Sequence, residues 1–275
     1  MRLSSREATS PAISDMASPW NIGSKRITAA PTTTAAAVSI ILISASVWSE
    51  EVAPKTDGVR TVYLIRHGDY DHADERDPYV GKGLVPLGVA QARLVAARLR
   101  GMPVTFTSLQ SSTMTRARET ALVIGEEFPA LPLETSKLIS ECTPPTRRQD
   151  IMEGETAEDL EACTRQLEEA FPRIFAPSPE ADRHDIVVCH GNVIRYFVTR
   201  VLGVDTAAWL GMSIGNCSLT VVQVWPTGSM QLLSFSDVGH LPPNLTTRTG
   251  PGAPIDLSVP GETPAAGEPP GPQMN

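Results

Sequence analysis

The sequence predicts an α/β domain in three layers, α/β/α, built on a mostly parallel mixed sheet. Short β-branched runs alternate along the chain with segments of helical periodicity, the pattern of strands joined by crossover helices. Two of these apolar runs stop abruptly at a histidine followed by glycine, as strands do at the rim of an open sheet. The last two runs are separated only by Pro226-Thr227-Gly228, so they form an antiparallel hairpin at the end of the domain.

Taken in order, Thr61–Ile65, Val104–Thr107, Asp185–Cys189, Leu219–Val224 and Met230–Phe235 read as strands, being short, β-rich and bounded by Gly, Pro or polar residues. Between them, Pro86 opens a helix whose Leu87, Ala90, Leu94 and Ala97 recur at three and four residues, and Gly101 closes it. A second helix starts at Thr113 after Ser111 and Ser112, with Met114, Ala117, Ala121 and Ile124 on its inner face. A third is capped by Thr156 with Asp159 and carries Leu160, Cys163, Leu167, Phe171 and Ile174 as its core stripe. A fourth helical stretch, Val193 to Leu202, follows His190-Gly191-Asn192. No repeat is present.

The 275 residues are 41% hydrophobic, enough for one sizeable domain with tails. With 31 acidic against 23 basic side chains the formal charge is -8, which argues against a sequence-independent grip on nucleic acid. Residues 1–57 read as a targeting segment. Its Ser/Ala-rich start carries Arg2, Arg6, Lys25 and Arg26, compatible with a mitochondrial presequence. The uncharged stretch 27–49, with its strongly apolar second half, is a candidate membrane anchor; a cleavable secretory signal and a disordered tail with one apolar patch are the alternative readings. Residues 58–247 carry the alternating strands and helices of the folded domain, and the Pro/Gly-rich residues 248–275 are expected to be a disordered tail. Cys142, Cys163, Cys189 and Cys217 show no C-x-x-C spacing, so they read as buried or idle thiols rather than a metal site or disulfide framework.

Chemistry is expected where apolar strands end. Leu64-Ile65 runs into Arg66-His67-Gly68, and Val188-Cys189 runs into His190-Gly191. Each glycine lets a backbone or ligand approach its histidine closely. Arg116 falls in the first turn of a helix, where free backbone N–H groups already favour an anion, and guanidinium groups match phosphate oxygens in a fork. His72, His184 and His240 lie in polar or loop contexts and read as surface residues. Glu119, Glu141, Glu153 and Glu155 are the carboxylates available to move a proton, and Arg147 with Arg148 forms a basic pair that either contacts a phosphopeptide or is merely solvated.

These residues resemble a known pattern. Arg66-His67-Gly68, Leu87-Gly88 with Gln91-Ala92, Thr107-Ser108 before Arg116-Ala117-x-Glu119-Thr120-Ala121, Glu141 and Cys189-His190-Gly191 occur in the order of the histidine phosphatase superfamily, also called phosphoglycerate-mutase-like. The likeness spans residues 58–247. Further segments resemble its branch of mitochondrial Ser/Thr protein phosphatases: Asn192-Val193-Ile194-Arg195-Tyr196, Trp209-Leu210, Ser213, Asn216, Ser218, Pro226-x-Gly228 and Asp237-x-Gly239-His240-Leu241-Pro242-Pro243. Gly68 and Gly191 depart from that branch, which has a serine and an alanine there, and its Trp-Asp-rich assembly motif has no counterpart between Trp48 and Thr61.

The resemblance implies a phosphoglycerate-mutase-like fold and a phosphatase acting on phosphorylated proteins without metal or cofactor. It implies His67 as nucleophile, Arg66, Arg116 and a protonated His190 around the phosphate, and Glu141 as proton donor. The missing assembly motif argues against the large ring of that branch and leaves a homodimer as the expected assembly. A small-metabolite phosphatase or mutase with the same site is the second enzyme reading. A membrane-tethered scaffold with a silent pocket is the reading of another class.

Overall fold

The computed structural model describes residues 58–247. Strand β1 (Arg60–Arg66) is buried along its whole length, as a hydrophobic run in the interior of a parallel sheet must be. It lies between β4 (Arg183–Cys189), parallel to it, and β5 (Leu219–Val224), antiparallel to it. Beyond β4 come β2 (Ser108–Ser112) and the four-residue edge strand β3 (Leu133–Ser136), both parallel to their neighbours. On the other side β6 (Met230–Asp237) pairs antiparallel with β5, giving the order β3-β2-β4-β1-β5-β6.

Period-two alternation in the strands divides the core into two layers. Val62, Leu64, Val187, Cys189, Val222 and Val224 face the helices α4 (Ala157–Ile174) and α5 (Gly191–Leu202), which contribute Cys163, Leu167, Phe171, Ile194 and Phe197. Tyr63, Ile65, Ile186 and Val188 face the opposite layer, α1 (Pro86–Arg100) and α2 (Thr115–Gly125), with Val95, Leu99, Ala117 and Ile124. The Thr156 hydroxyl accepts a hydrogen bond from the amide of Asp159 at 3.1 Å, the cap expected at the start of α4. A short helix, α3 (Gln149–Met152), completes the set.

Several expectations shift. The strand placed at Val104–Thr107 lies at Ser108–Ser112 instead: Thr107 only begins the contact, its amide reaching the carbonyl of His184, while Phe106 packs into the core. Ladder bonds from β3 and β4 on both sides hold the serine-rich segment extended against its weak β preference. The edge strand β3 carries one leucine in four residues and left no readable pattern. Helix α2 begins at Thr115 rather than Thr113, because Ser111 and Ser112 belong to β2. In α1 the predicted stripe is the outer face. Gly88, Gln91, Ala92, Val95, Ala96 and Leu99 are buried, whereas Leu87, Ala90 and Leu94 are half-buried and Ala97 is exposed. This helix is apolar on two sides, and the face bearing Gly88, Ala92 and Ala96 is the one that lets it approach the sheet closely.

Cys142 and Cys163, read as unpaired thiols, form a disulfide across a sequence separation of 21, with Cα atoms 5.6 Å apart. Spacing carried no sign of it because the fold, not the chain, brings them together. Cys189 and Cys217 are free and buried. Among the described residues no helix is long and apolar enough to cross a membrane. The anchor at 27–49, the targeting reading of 1–57 and the disordered tail at 248–275 lie outside them.

Leu99→Ala removes a fully buried side chain and should cost about 2–5 kcal/mol in denaturant unfolding. Leu94→Ala, on the outer face of the same helix, should cost less than about 1 kcal/mol, and equal losses would contradict the assigned face.

Candidate active site

The parallel register of β1 and β4 pairs Arg66 with Cys189. The next residue on each strand is a histidine, so both imidazoles leave the sheet at the same rim with ring centroids 5.1 Å apart. The amide of His67 donates to the carbonyl of Cys189 at 3.0 Å and the side-chain amide of Asn216 donates to the carbonyl of His67, fixing the backbone where β1 ends. Gly68 follows because the chain here presses on the start of α1. A Cβ on Gly68 would stand 2.6 Å from the carbonyl oxygen of Gly88, and one on Gly88 would stand 1.9 Å from that of Asp69.

His67 is 2% exposed and its protonation pattern is legible from its partners. Nδ1 lies 2.8 Å from the carbonyl oxygen of Gly68, which can only accept, so Nδ1 carries the hydrogen. Nε2 therefore holds the lone pair, and it accepts from Nε of Arg116 at 3.2 Å. Burial holds this imidazole well below its ordinary pKa, reinforced by the charge of Arg66 and by His190 and Arg116. A neutral ring with its lone pair beside a guanidinium has the form needed to attack an anion held there.

Arg116 is brought there by the first turn of α2, which only Thr113 and Met114 separate from the end of β2. Its guanidinium carbon lies 4.9 Å from the ring centre of Tyr70, and that ring meets His67 edge-on. Thr120, one turn on, donates to the carbonyl of Arg116 and accepts from the amide of Gly68, tying helix to loop. Arg66, from the end of β1, is 8% exposed and donates to the carbonyl of Ile214 at 2.9 Å. Burial lowers its pKa, opposed by the nearby carboxylate of Glu141.

His190 is fully buried and stands at the N-cap position of α5. Its Nε2 lies 2.8 Å from the hydroxyl of Ser112 at the end of β2, and its Nδ1 lies 3.5 Å from a carboxylate oxygen of Glu141. Burial and the charges of Arg116 and Arg66 depress its pKa well below the usual imidazole value, so the neutral ring is favoured. The protonated His190 expected from sequence thus requires an incoming anion to offset those two guanidiniums.

Glu141 is the carboxylate at the pocket. Its side chain is 24% exposed, one oxygen accepts from the amide of Asn192 in the first turn of α5 at 3.1 Å, and the other faces His190. Burial raises its pKa, partly opposed by Arg116 and Arg66, so it keeps a proton to higher pH than an ordinary glutamate. The alternatives lie elsewhere: Glu119 accepts from the amide of Leu84, Glu153 is exposed and Glu155 is only half-buried beyond α3. Donor atoms of His67, Glu141 and His190 all fall within 4.8 Å of one another, a set able to hold a divalent metal. Arg66 and Arg116 beside them make the same space cationic, which matches an anion better than a metal ion.

The remaining sequence candidates disperse. Arg147 and Arg148 are exposed and engaged with Asp205 and Asp150, so the basic pair is a solvated one. Only His72 is truly on the surface. His184 is half-buried beside the hydroxyl of Tyr63, and His240 is half-buried between Arg98 and the carbonyl of Cys217. Cys189 is fully buried and burial pushes its thiol far above the ordinary value, leaving it inert. Ser112, Tyr70 and Thr120 were missed as site residues. Ser112 could have been found by the strand-end rule, since it is the last residue of β2, had that strand been placed correctly.

A family model described as the histidine phosphatase superfamily (branch 1) matches residues 62–145 and 143–237. The chain is 40% identical over 195 residues to the mitochondrial serine/threonine-protein phosphatase Pgam5 of Caenorhabditis elegans, covering 69% of this chain and 67% of that one. It is 34% identical over 213 residues to the human protein of the same name, covering 73% and 72%. Among solved structures it is similar to an alpha-ribazole phosphatase from Shigella flexneri, with a TM-score of 0.53 at 16% identity, covering 64% and 96%. A phosphoserine phosphatase from Entamoeba histolytica superposes with a TM-score of 0.50 at 19% identity, covering 66% and 98%. At these identities the two structures speak to the three-layer fold alone.

The depressed imidazoles set a pH dependence. The folded protein resists protonating His67 and His190, whereas in the unfolded chain both titrate near an ordinary value of about 6.5. Below about pH 6.5 the unfolded state binds more protons, so unfolding free energy should fall as pH drops, and His67→Asn should flatten that slope in denaturant titrations between about pH 6.5 and 5.5.

Proposed function

The chain belongs to the histidine phosphatase superfamily, and on that premise we propose that it hydrolyses phosphoserine and phosphothreonine on proteins through a phosphohistidine at His67. The observation that carries this is the lone pair on Nε2 of His67, aimed at the guanidinium of Arg116 inside a pocket that also holds Arg66, His190 and Glu141. The choice of a protein substrate is supported by the names of the curated relatives.

In the first step Nε2 of His67 attacks phosphorus as the bond from phosphorus to the serine or threonine oxygen breaks. Arg66, Arg116 and His190 hold the three equatorial oxygens, where the negative charge is spread. The leaving alkoxide is strongly basic, so Glu141 delivers a proton to it, and the raised pKa of this carboxyl keeps that proton available. In the second step water attacks phosphorus, the N–P bond breaks, the electron pair returns to Nε2 and Glu141 takes the proton from water. His190 takes a proton from solvent as the phosphate dianion enters, because the anion offsets the burial and the guanidinium charges that otherwise depress it.

The same reading extends to location and assembly. Residence in mitochondria is supported by the relatives' names, and residues 27–49 as anchor by their uncharged, apolar run. A homodimer rests on the sequence resemblance alone and is decided by light scattering.

Wild-type protein should release phosphate from a phosphoserine or phosphothreonine peptide and show acid-labile phosphate on the chain when quenched, while His67→Ala shows neither. Arg116→Ala should lower kcat by roughly 10²–10³-fold, the usual loss for one preorganised charge-stabilising donor. Hydrolysis at equal rates by wild type and His67→Ala would end the proposal, and transfer of phosphate to phosphoglycerate in place of release would favour the mutase reading.

A further inference from the structure

Glu141 differs from the other members of the pocket in how it is held. His67, His190 and Arg66 stand at strand ends and Arg116 on a helix, whereas residues 141–146 have no regular secondary structure. Among the described residues no backbone-to-backbone hydrogen bond engages Glu141 or Cys142. The segment is instead anchored from α4 and α5. Cys142, next to Glu141 in sequence, is bonded to Cys163 of α4, which is 3% exposed and packed in the core. One turn further along α4, the side-chain amide of Gln166 donates to the carbonyl of Ser140 at 2.9 Å. From α5 the side-chain amide of Asn192 donates to the carbonyl of Cys142 at 3.0 Å, and its backbone amide donates to the Glu141 carboxylate.

The residues on both sides of Glu141 are therefore fixed, one by a hydrogen bond and the other covalently. We propose that the Cys142–Cys163 disulfide positions the proton-donating carboxyl of Glu141, so that the reduced protein keeps its phosphate-binding residues but loses efficient protonation of the leaving group. Neither cysteine touches the reacting atoms; both are positioning residues. A general acid must lie within hydrogen-bond reach of the leaving oxygen, and a tether one residue away restricts the segment most directly. Cys142 is half-buried, while the free thiols Cys189 and Cys217 are buried. Reduction by dithiothreitol breaks the S–S bond, delivers two electrons and two protons to give two thiols, and leaves the reagent as its cyclic disulfide.

This inference rests on Glu141 being the proton donor, and the experiment separates the two. The quantity to measure is kcat/KM for a phosphoserine peptide, whose alkoxide needs a proton, divided by kcat/KM for 2,4-dinitrophenyl phosphate, whose phenolate leaves without one. Cys163→Ser, Cys142→Ser and dithiothreitol-treated wild type, each checked for folding by circular dichroism, should lower that ratio about tenfold. Glu141→Gln should lower it by roughly 10²–10⁴-fold, the usual range for a general acid. A loss of rate shared equally by both substrates is what a merely structural bridge produces, and it would overturn the inference. If the ratio falls for Glu141→Gln but not on breaking the bridge, only the positioning role is lost. If it does not fall for Glu141→Gln, the proton-donor role fails and the inference with it.

Discussion

The hydrogen-bond register between β1 and β4 is the constraint on which the site depends. Seven consecutive pairs, from Arg60 with Arg183 to Arg66 with Cys189, leave no freedom in where the two strands stop relative to one another. A slip of one residue would turn every side chain of β1 to the other face, exchanging Val62 and Leu64 with Tyr63 and Ile65 between two close-packed layers, so packing of the core enforces the pairing. The two imidazoles are placed side by side by the bulk of the sheet rather than by their own contacts.

From that placement the electrostatics follow. Two guanidiniums and two imidazoles share a space from which water is largely excluded, so the rings stay neutral and the charges act with little screening. The pocket is thereby short of negative charge, and Glu141, partly exposed and pushed toward its protonated form, offsets little of it. A dianion entering this space meets fixed positive groups that need little rearrangement.

Rigidity is not shared equally by the parts. His67, His190, Arg66 and Arg116 inherit theirs from strand ends and a helix start, while the Glu141 carboxyl sits on irregular chain secured by Gln166, Asn192 and the disulfide. Glu141 and His67 are thus held in place by different elements of the fold.

Hydrophobic periodicity and strand-end residues were enough to determine the three-layer class, the hairpin at β5 and β6, the cap at Thr156, and that Arg66-His67 and Cys189-His190 end their strands at one rim of the sheet. These are local signals: a side chain's period, or the point where an apolar run gives way to a polar one, is written in neighbouring residues. Ser108–Ser112 and Leu133–Ser136 became strands only because their neighbours supply ladder bonds, and α1 had two apolar faces between which packing against the sheet chose. The Cys142–Cys163 bond, the cation–π contact of Arg116 with Tyr70 and the hydrogen bond of Ser112 with His190 belong to the same class. Each joins residues distant in sequence, and such contacts exist only once the sheet and its two helical layers have set the distances.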